Sequence, residues 1–262
     1  MTAILESSNI SKSFSGIQAL NSVTISVMEG ERVGLIGPNG AGKTTFFNCL
    51  LGVLTPDEGK VRFLDRDVSN LPVNKRARAG IGRTFQRIEL FSDTTVREHL
   101  LIAERVHNGT GAFWKDLLGL GRPTTAEIAR CDEVLELLGL LELGDEPIES
   151  LSLGQGRLVE VGRALMTEPS LLLLDEPSSG LDREETTALA TTLRQIQAEK
   201  GFAILLVEHD VDLVASFTER LYVLDFGSLI AQGPTAETLQ NPAVRTAYLG
   251  SLEVGHDEGD PQ

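Results

Sequence analysis

Gly37-Pro38-Asn39-Gly40-Ala41-Gly42-Lys43-Thr44-Thr45 decides how the rest of the chain is read. The nonapeptide fits the phosphate-binding loop pattern in full. Its glycines let successive backbone N–H groups turn inward around phosphate oxygens, and the helix that follows adds the positive end of its dipole. In such a loop Lys43 reaches the β- and γ-phosphates and Thr44 can ligate Mg²⁺. The flanks agree with this reading, because Arg32-Val33-Gly34-Leu35-Ile36 reads as a buried strand and Thr44 to Leu51 as a helix closing at Gly52. A glycine turn between strand and helix that holds no ligand is the plainer alternative.

Working outward, 262 residues with 41% hydrophobic content can bury a full α/β core without disulfides or a structural metal. One domain with an insertion is the economical arrangement. A net charge of −15, with no cluster of Lys and Arg, argues against a nucleic-acid partner. Mg²⁺ and ATP remain compatible, since that site is built locally from amides and one lysine. Cys49 and Cys131 lack metal-ligand spacing and are expected to be packing residues, in keeping with a reducing compartment. The opening Met1-Thr2-Ala3-Ile4-Leu5-Glu6 has neither the basic segment nor the apolar stretch of an export signal, and no run reaches membrane-span length. The chain is therefore expected to be soluble, with any membrane role exercised through a partner.

Alternation from Ala3 to Met28, clearest at Val23, Ile25 and Val27, predicts antiparallel strands with one buried face, ending at Gly30. Thr55-Pro56-Asp57-Glu58-Gly59 is a turn into a strand over Lys60 to Leu64, and Pro72 to Ala79 is a basic helix candidate. Between Val96 and Met166 strand signals give way to helical spacing, with Ile128, Cys131, Val134, Leu135 and Leu138 on one face. This reads as a helical insertion. Strand and helix then alternate again: Leu171 to Leu174, Arg183 to Lys200, Ala203 to Val207, a helix after His209, and Leu221 to Leu224. That order predicts a parallel sheet. The acidic tail from Glu253 to Gln262 has no periodicity and is expected to be disordered.

Leu171 to Leu174 runs into Asp175-Glu176-Pro177, so two carboxylates stand where an open parallel sheet presents its ligand crevice. Asp175 is the candidate Mg²⁺ ligand and Glu176 the candidate base for the water that attacks the γ-phosphorus. Leu151-Ser152-Leu153-Gly154-Gln155 precedes a helical run and offers a helix-start anion site, although a plain N-cap has the same appearance. His209, after the strand Ala203 to Val207 and the acid Glu208, can hydrogen-bond a γ-phosphate, where a lone histidine would more often be structural. Gln86 follows Gly82-Arg83-Thr84-Phe85 at the passage from sheet to helical insertion, from which its amide could reach Mg²⁺.

Taken together these residues resemble the nucleotide-binding subunits of ATP-binding cassette (ABC) transporters, from about Leu5 to Gly250. By that resemblance Gly37 to Thr45 is Walker A, with Gly37, Pro38, Asn39, Gly40, Ala41, Gly42, Lys43, Thr44 and Thr45 all on the nucleotide. Leu171 to Glu176 is Walker B, Gln86 the Q-loop, Leu151 to Gln155 the signature motif with Ser152, Gly154 and Gln155 on ATP, and Ser179-Gly180-Leu181-Asp182 the D-loop with Asp182 at the nucleotide. Phe14, in Lys12-Ser13-Phe14-Ser15-Gly16, is the aromatic that stacks on adenine, and His209 the switch histidine. Catalysis is then expected from Glu176, His209 and Gln86, and metal binding from Thr44, Gln86 and Asp175.

The implied fold class is α/β: a P-loop NTPase (RecA-like) core with an N-terminal antiparallel β subdomain and an inserted α-helical subdomain. The implied division is an ATPase domain over 1–250, with core 1–88 and 167–233, helical subdomain about 89–166 and extension 234–250, followed by the tail 251–262. Gly80 to Gln86, Val207 to Asp210 and the ending Asn241 to Gly250 are similar to the ATPases of branched-chain amino acid importers, in particular the longer type with extra sequence where His107 to Thr125 lies here. Urea and other amide importers have related ATPases. The implied cofactors are ATP and Mg²⁺. The implied partners are a second ATPase subunit, in a homodimer or paralogous heterodimer, membrane permease subunits and, indirectly, a periplasmic or extracellular solute-binding protein. The implied location is the cytoplasmic face of the cell membrane.

Two positions depart from the family pattern: Leu153 stands in place of glycine, and Gly156 in place of a long polar side chain. Gly156 is expected to loosen the helix start by up to about 1 kcal/mol. The segment Ala112 to Leu118, with the single tryptophan Trp114, either packs the insertion on its own domain or meets a permease. A soluble ABC ATPase of translation or DNA repair is disfavoured by the single cassette and acidic charge, and a non-hydrolysing binding module by the intact Glu176 and His209.

Overall fold

The alternating N-terminal residues form two long antiparallel strands, β1 (Ala3–Phe14) and β2 (Ile17–Met28). Leu5, Ile10, Leu20, Val23, Ile25 and Val27 are buried, so the expected single apolar face is present. Ser15 and Gly16 join the strands with positive φ at both positions, the signature of a type I′ hairpin turn. In this computed structural model residues 2–84, 94–108 and 123–253 are described. The chain divides into two units, Met1–Arg76 with Ala203–Gln262, and Ala77–Phe202.

In the first unit the loop Gly37 to Gly42 connects β3 (Arg32–Ile36) to α1 (Lys43–Leu51), which ends at Gly52 in the left-handed conformation, as the sequence predicts. After α1 come β4 (Glu58–Phe63), β5 (Arg66–Asp67) and the basic helix α2 (Val73–Arg78). β4 pairs antiparallel with β1, giving a sheet ordered β2-β1-β4-β5. A second group of strands is built around β3, with β8 (Ala203–Val207) parallel on one side and β9 (Arg220–Asp225) parallel on the other. Arg220 ties the two sheets, its guanidinium donating to Glu31 Oε1 at 2.7 Å and to the Ser26 carbonyl at 2.8 Å.

The strands expected to pair parallel do so, and one further strand, not foreseen from the sequence, runs the other way. β10 (Ser228–Pro234) pairs antiparallel with β9. Phe226 and Gly227, both at positive φ, reverse the chain too tightly for a crossover, so the next strand must return antiparallel at the edge. Its Gly233 and Pro234 are tolerated at such an edge.

The second unit holds the parallel pair β6 (Ile81–Arg83) and β7 (Leu171–Asp175) with four longer helices among its described residues: α3 (Val96–Asn108), α4 (Thr125–Leu137), α5 (Leu153–Leu165) and α6 (Arg183–Lys200). On α4 the predicted face is realised, with Cys131, Leu135 and the following Leu138 buried and Ile128 and Val134 partly so. Cys49 and Cys131 are free and buried, and burial pushes both thiols up to about 11, as befits packing residues. Gln86, Trp114 and most of the Glu253–Gln262 tail lie outside the described residues. The remaining helices, α7 (Val211–Phe217), α8 (Thr235–Thr238) and α9 (Pro242–Glu253), belong to the first unit.

One basic side chain of α2 turns inward. Arg76 is fully buried, and its guanidinium donates to the carbonyls of Cys49 and Leu50 at the end of α1, and to those of Ser69 and Leu71. A helix C-terminus leaves carbonyls without intrahelical donors, and here one cation satisfies two of them while complementing the dipole. Arg76→Met removes these donors while keeping much of the volume, leaving four carbonyls short of a partner. A loss of about 3–5 kcal/mol is expected in urea unfolding. A loss below about 1 kcal/mol would show that the clamp does not hold α1.

Candidate nucleotide site

The phosphate loop is shaped by contacts that leave no room for side chains. A Cβ on Gly37 would stand 2.2 Å from the Leu224 carbonyl oxygen of β9, and one on Gly42, at φ +99°, would stand 2.6 Å from the Ala19 carbonyl of β2. Gly40, at φ +79°, has nothing within 4 Å of that position and faces open space. The Gly227 amide donates to the Ala41 carbonyl at 3.0 Å, so the β9–β10 turn supports the loop from outside.

Lys43 is only 7% exposed, with its ammonium donating to the Gly37 carbonyl at 2.7 Å and the Pro38 carbonyl at 3.2 Å. It is therefore parked on its own loop, a pre-organised positive charge. Gly42 begins α1 without any side-chain cap, and no acidic residue occupies the first turn. The amides there are left for an external acceptor, and the dipole favours an anion. The Thr44 side chain is exposed on this same turn, Thr45 is partly buried, and Asn39 is exposed.

His209 comes off the same sheet end as the loop. Leu35 of β3 is in register with Val207 of β8, so Gly37 and His209 each lie two residues beyond a paired position. The imidazole is 58% exposed, with Nδ1 3.7 Å from Glu208 Oε2. Glu208 is fully buried and also accepts from the His209 amide at 3.0 Å, which holds the turn carrying the ring. Ligands of open α/β sheets bind beyond the carboxyl ends of the strands, where both groups stand.

Phe14 lies beside the β1–β2 turn, half exposed, with Lys12 Nζ 5.7 Å from its ring centre. Lys12 also pairs with Asp57 at 2.7 Å, and this hydrogen bond holds the Asp57 carboxyl below its ordinary range. The hairpin tip thus presents an aromatic ring with a cation over it.

In the second unit four fully buried leucines carry β7 outward to Asp175 and Glu176, both partly exposed. Glu176 has φ +48°, a left-handed conformation that costs a residue with a Cβ about 1–3 kcal/mol. Its carbonyl accepts from the Ser179 amide at 3.1 Å, closing a tight turn.

Ser152 and Asp182 each begin a helix in a full capping box. The Ser152 hydroxyl accepts from the Gln155 amide at 3.2 Å while Gln155 Oε1 accepts from the Ser152 amide at 2.9 Å; Asp182 and Glu185 do the same for α6. The N-cap alternative for Ser152 is thus realised, and its hydroxyl proton is left over by this accepting bond. Gly156 sits in the first turn of α5 with its amide bonded to the Ser152 carbonyl at 2.9 Å.

Sequence reading missed how these two segments meet. Arg157 donates to the Ser179 carbonyl at 3.2 Å, and the Leu153 Cδ2 lies 3.0 Å from where a Gly180 Cβ would be. A glycine at position 153 would lack that contact. The left-handed Gly180 is a visible turn signal, but its neighbour is not.

A family model for the ABC transporter matches residues 20–179. Over 240 residues the chain is 40% identical to the high-affinity branched-chain amino acid transport ATP-binding protein LivG of Salmonella typhimurium, covering 90% of this chain and 94% of that one. It is 38% identical over 251 residues to BraF of Pseudomonas aeruginosa, a protein of the same description, covering 94% and 98%. Among solved structures, the ADP conformation of MJ1267, an ATP-binding cassette of an ABC transporter, superposes with a TM-score of 0.86 at 35% identity, covering 95% of this chain and all of that one. The family model covers more than half of the chain and the relatives nine-tenths of it, and the chain belongs to the ABC transporter ATP-binding family.

Proposed function

We propose that the chain is the ATP-hydrolysing subunit of an ABC importer whose solute is a branched-chain amino acid. The observation that carries this is the open, uncapped glycine cradle with its buried Lys43, in a chain similar along nine-tenths of its length to LivG. In this reading residues 1–250 form the ATPase domain, with core 1–88 and 167–233, helical subdomain about 89–166 and extension 234–250.

ATP enters as substrate. Its phosphates lie on the amides of Gly37 to Thr45 and on Lys43, and its base on Phe14. Thr44, Asp175 and Gln86 offer the hard oxygen donors that suit Mg²⁺, which when bound neutralises charge on the β- and γ-phosphate oxygens. Glu176 takes a proton from water as the water oxygen bonds to the γ-phosphorus; the bond to the ADP oxygen breaks, and His209 hydrogen-bonds the departing phosphate. Ser152, Gly154, Gln155 and Asp182 act across a head-to-tail dimer, on the nucleotide of the facing subunit. A dimeric cassette, MJ0796 bound to ADP and Pi, is a solved structure similar to this chain at 25% identity and a TM-score of 0.71.

The γ-phosphate is the group that both subunits recognise, so its loss removes the differential affinity for the closed dimer. Among the described residues no helix is long and apolar enough to cross a membrane. In this reading opening is passed to separate permease subunits at the cytoplasmic face, and a solute-binding protein outside the membrane delivers the amino acid. Solute identity is tested in proteoliposomes of the copurified complex. ATPase stimulation by binding protein loaded with leucine supports the assignment, and stimulation by an amide-loaded binding protein alone sinks it.

Glu176→Gln is expected to lower turnover by roughly two to four orders of magnitude with ATP binding retained, as read by phosphate release and equilibrium titration. Unchanged turnover would remove Glu176 as the base. Lys43→Ala is expected to weaken ATP at least about tenfold, since a charge-assisted phosphate bond is lost. Full affinity in that variant would count against the cradle.

A further inference from the structure

The closing segment Asn241 to Gly250 takes no part in the chemistry above, yet its helix α9 is anchored under the phosphate loop. Val244 is buried in a cluster with Ile36, Val214, Leu221 and Val223, and one helical turn on, Tyr248 packs against the same cluster. Ile36 is the residue immediately before Gly37. The Tyr248 hydroxyl is shielded from solvent, with the Gly37 backbone as its neighbour. Burial pushes this phenol up to about 12, with the Gly37 contact opposing, so the group stays neutral through the working pH range.

Gly37 is thereby held from three directions. Leu224 closes on its Cα, Tyr248 packs beside it on the cluster that contains Ile36, and its carbonyl receives the Lys43 ammonium. We propose that Tyr248 is a positioning residue for the phosphate loop, acting on the Gly37 backbone where the loop leaves β3. The proposal rests on the ATPase reading above. It gives the C-terminal extension a role in nucleotide affinity, with no contact to nucleotide of its own.

Tyr248→Phe deletes the hydroxyl and keeps the ring in its cluster, so the fold is expected to survive with the melting midpoint within about 3 °C. The expected result is a Mg-ATP dissociation constant raised about fivefold, with faster hydrogen exchange at the Gly37 amide. Adenosine, which has no phosphate for the loop, should bind the variant and the unaltered chain equally. Unchanged ATP affinity, unchanged exchange at Gly37, or a parallel weakening of ATP and adenosine would each overturn the proposal, the last by revealing a merely structural residue. A failure of the unaltered chain to bind ATP would instead overturn the ATPase reading, and this inference with it.

Discussion

The contact of the Gly37 backbone with the Leu224 carbonyl constrains everything around it. At 2.2 Å from a hypothetical Cβ, it admits only glycine, and it fixes where the loop leaves the sheet. Parallel pairing of β3 with β8 and β9 brings the two strand ends together, and the β9–β10 turn returns to hold Ala41. The loop is thus shaped by neighbours distant in sequence. Only at Gly40 does the loop face open space.

A chain carrying fifteen excess negative charges binds a polyanion only if attraction is local. Two features supply that attraction here: an uncapped helix start and one lysine held among carbonyls. The contrast with the other helices is instructive. α4, α5 and α6 each satisfy their first turn with a capping box, so their sequence supplies the acceptor that α1 leaves to a ligand. The anion preference of α1 arises from what its N-terminus lacks.

Leu153 illustrates how a departure from a family pattern acquires a physical sense. Leu153 lies over Gly180, and Arg157 bonds the adjoining Ser179 carbonyl. The segment before α5 and the turn before α6 are therefore packed as one surface within the chain.

The sequence by itself determined the elements. Val33 to Ile36, Leu171 to Leu174 and Ala203 to Val207 are apolar runs of strand length bounded by turn residues, and all three are buried strands. The loop, α1 and its Gly52 end were legible for the same local reason, as were Asp175, Glu176 and His209 at strand ends. Pairing was decided only by the tertiary structure: β4 joins β1 across the phosphate loop, β10 returns antiparallel, Arg76 turns inward to the end of α1, and Tyr248 reaches Gly37 from more than two hundred residues away. Local propensity is written in neighbouring residues, whereas partner choice depends on which buried faces and unpaired backbone groups meet once the chain has closed, and no short window of sequence contains both sides of that contact.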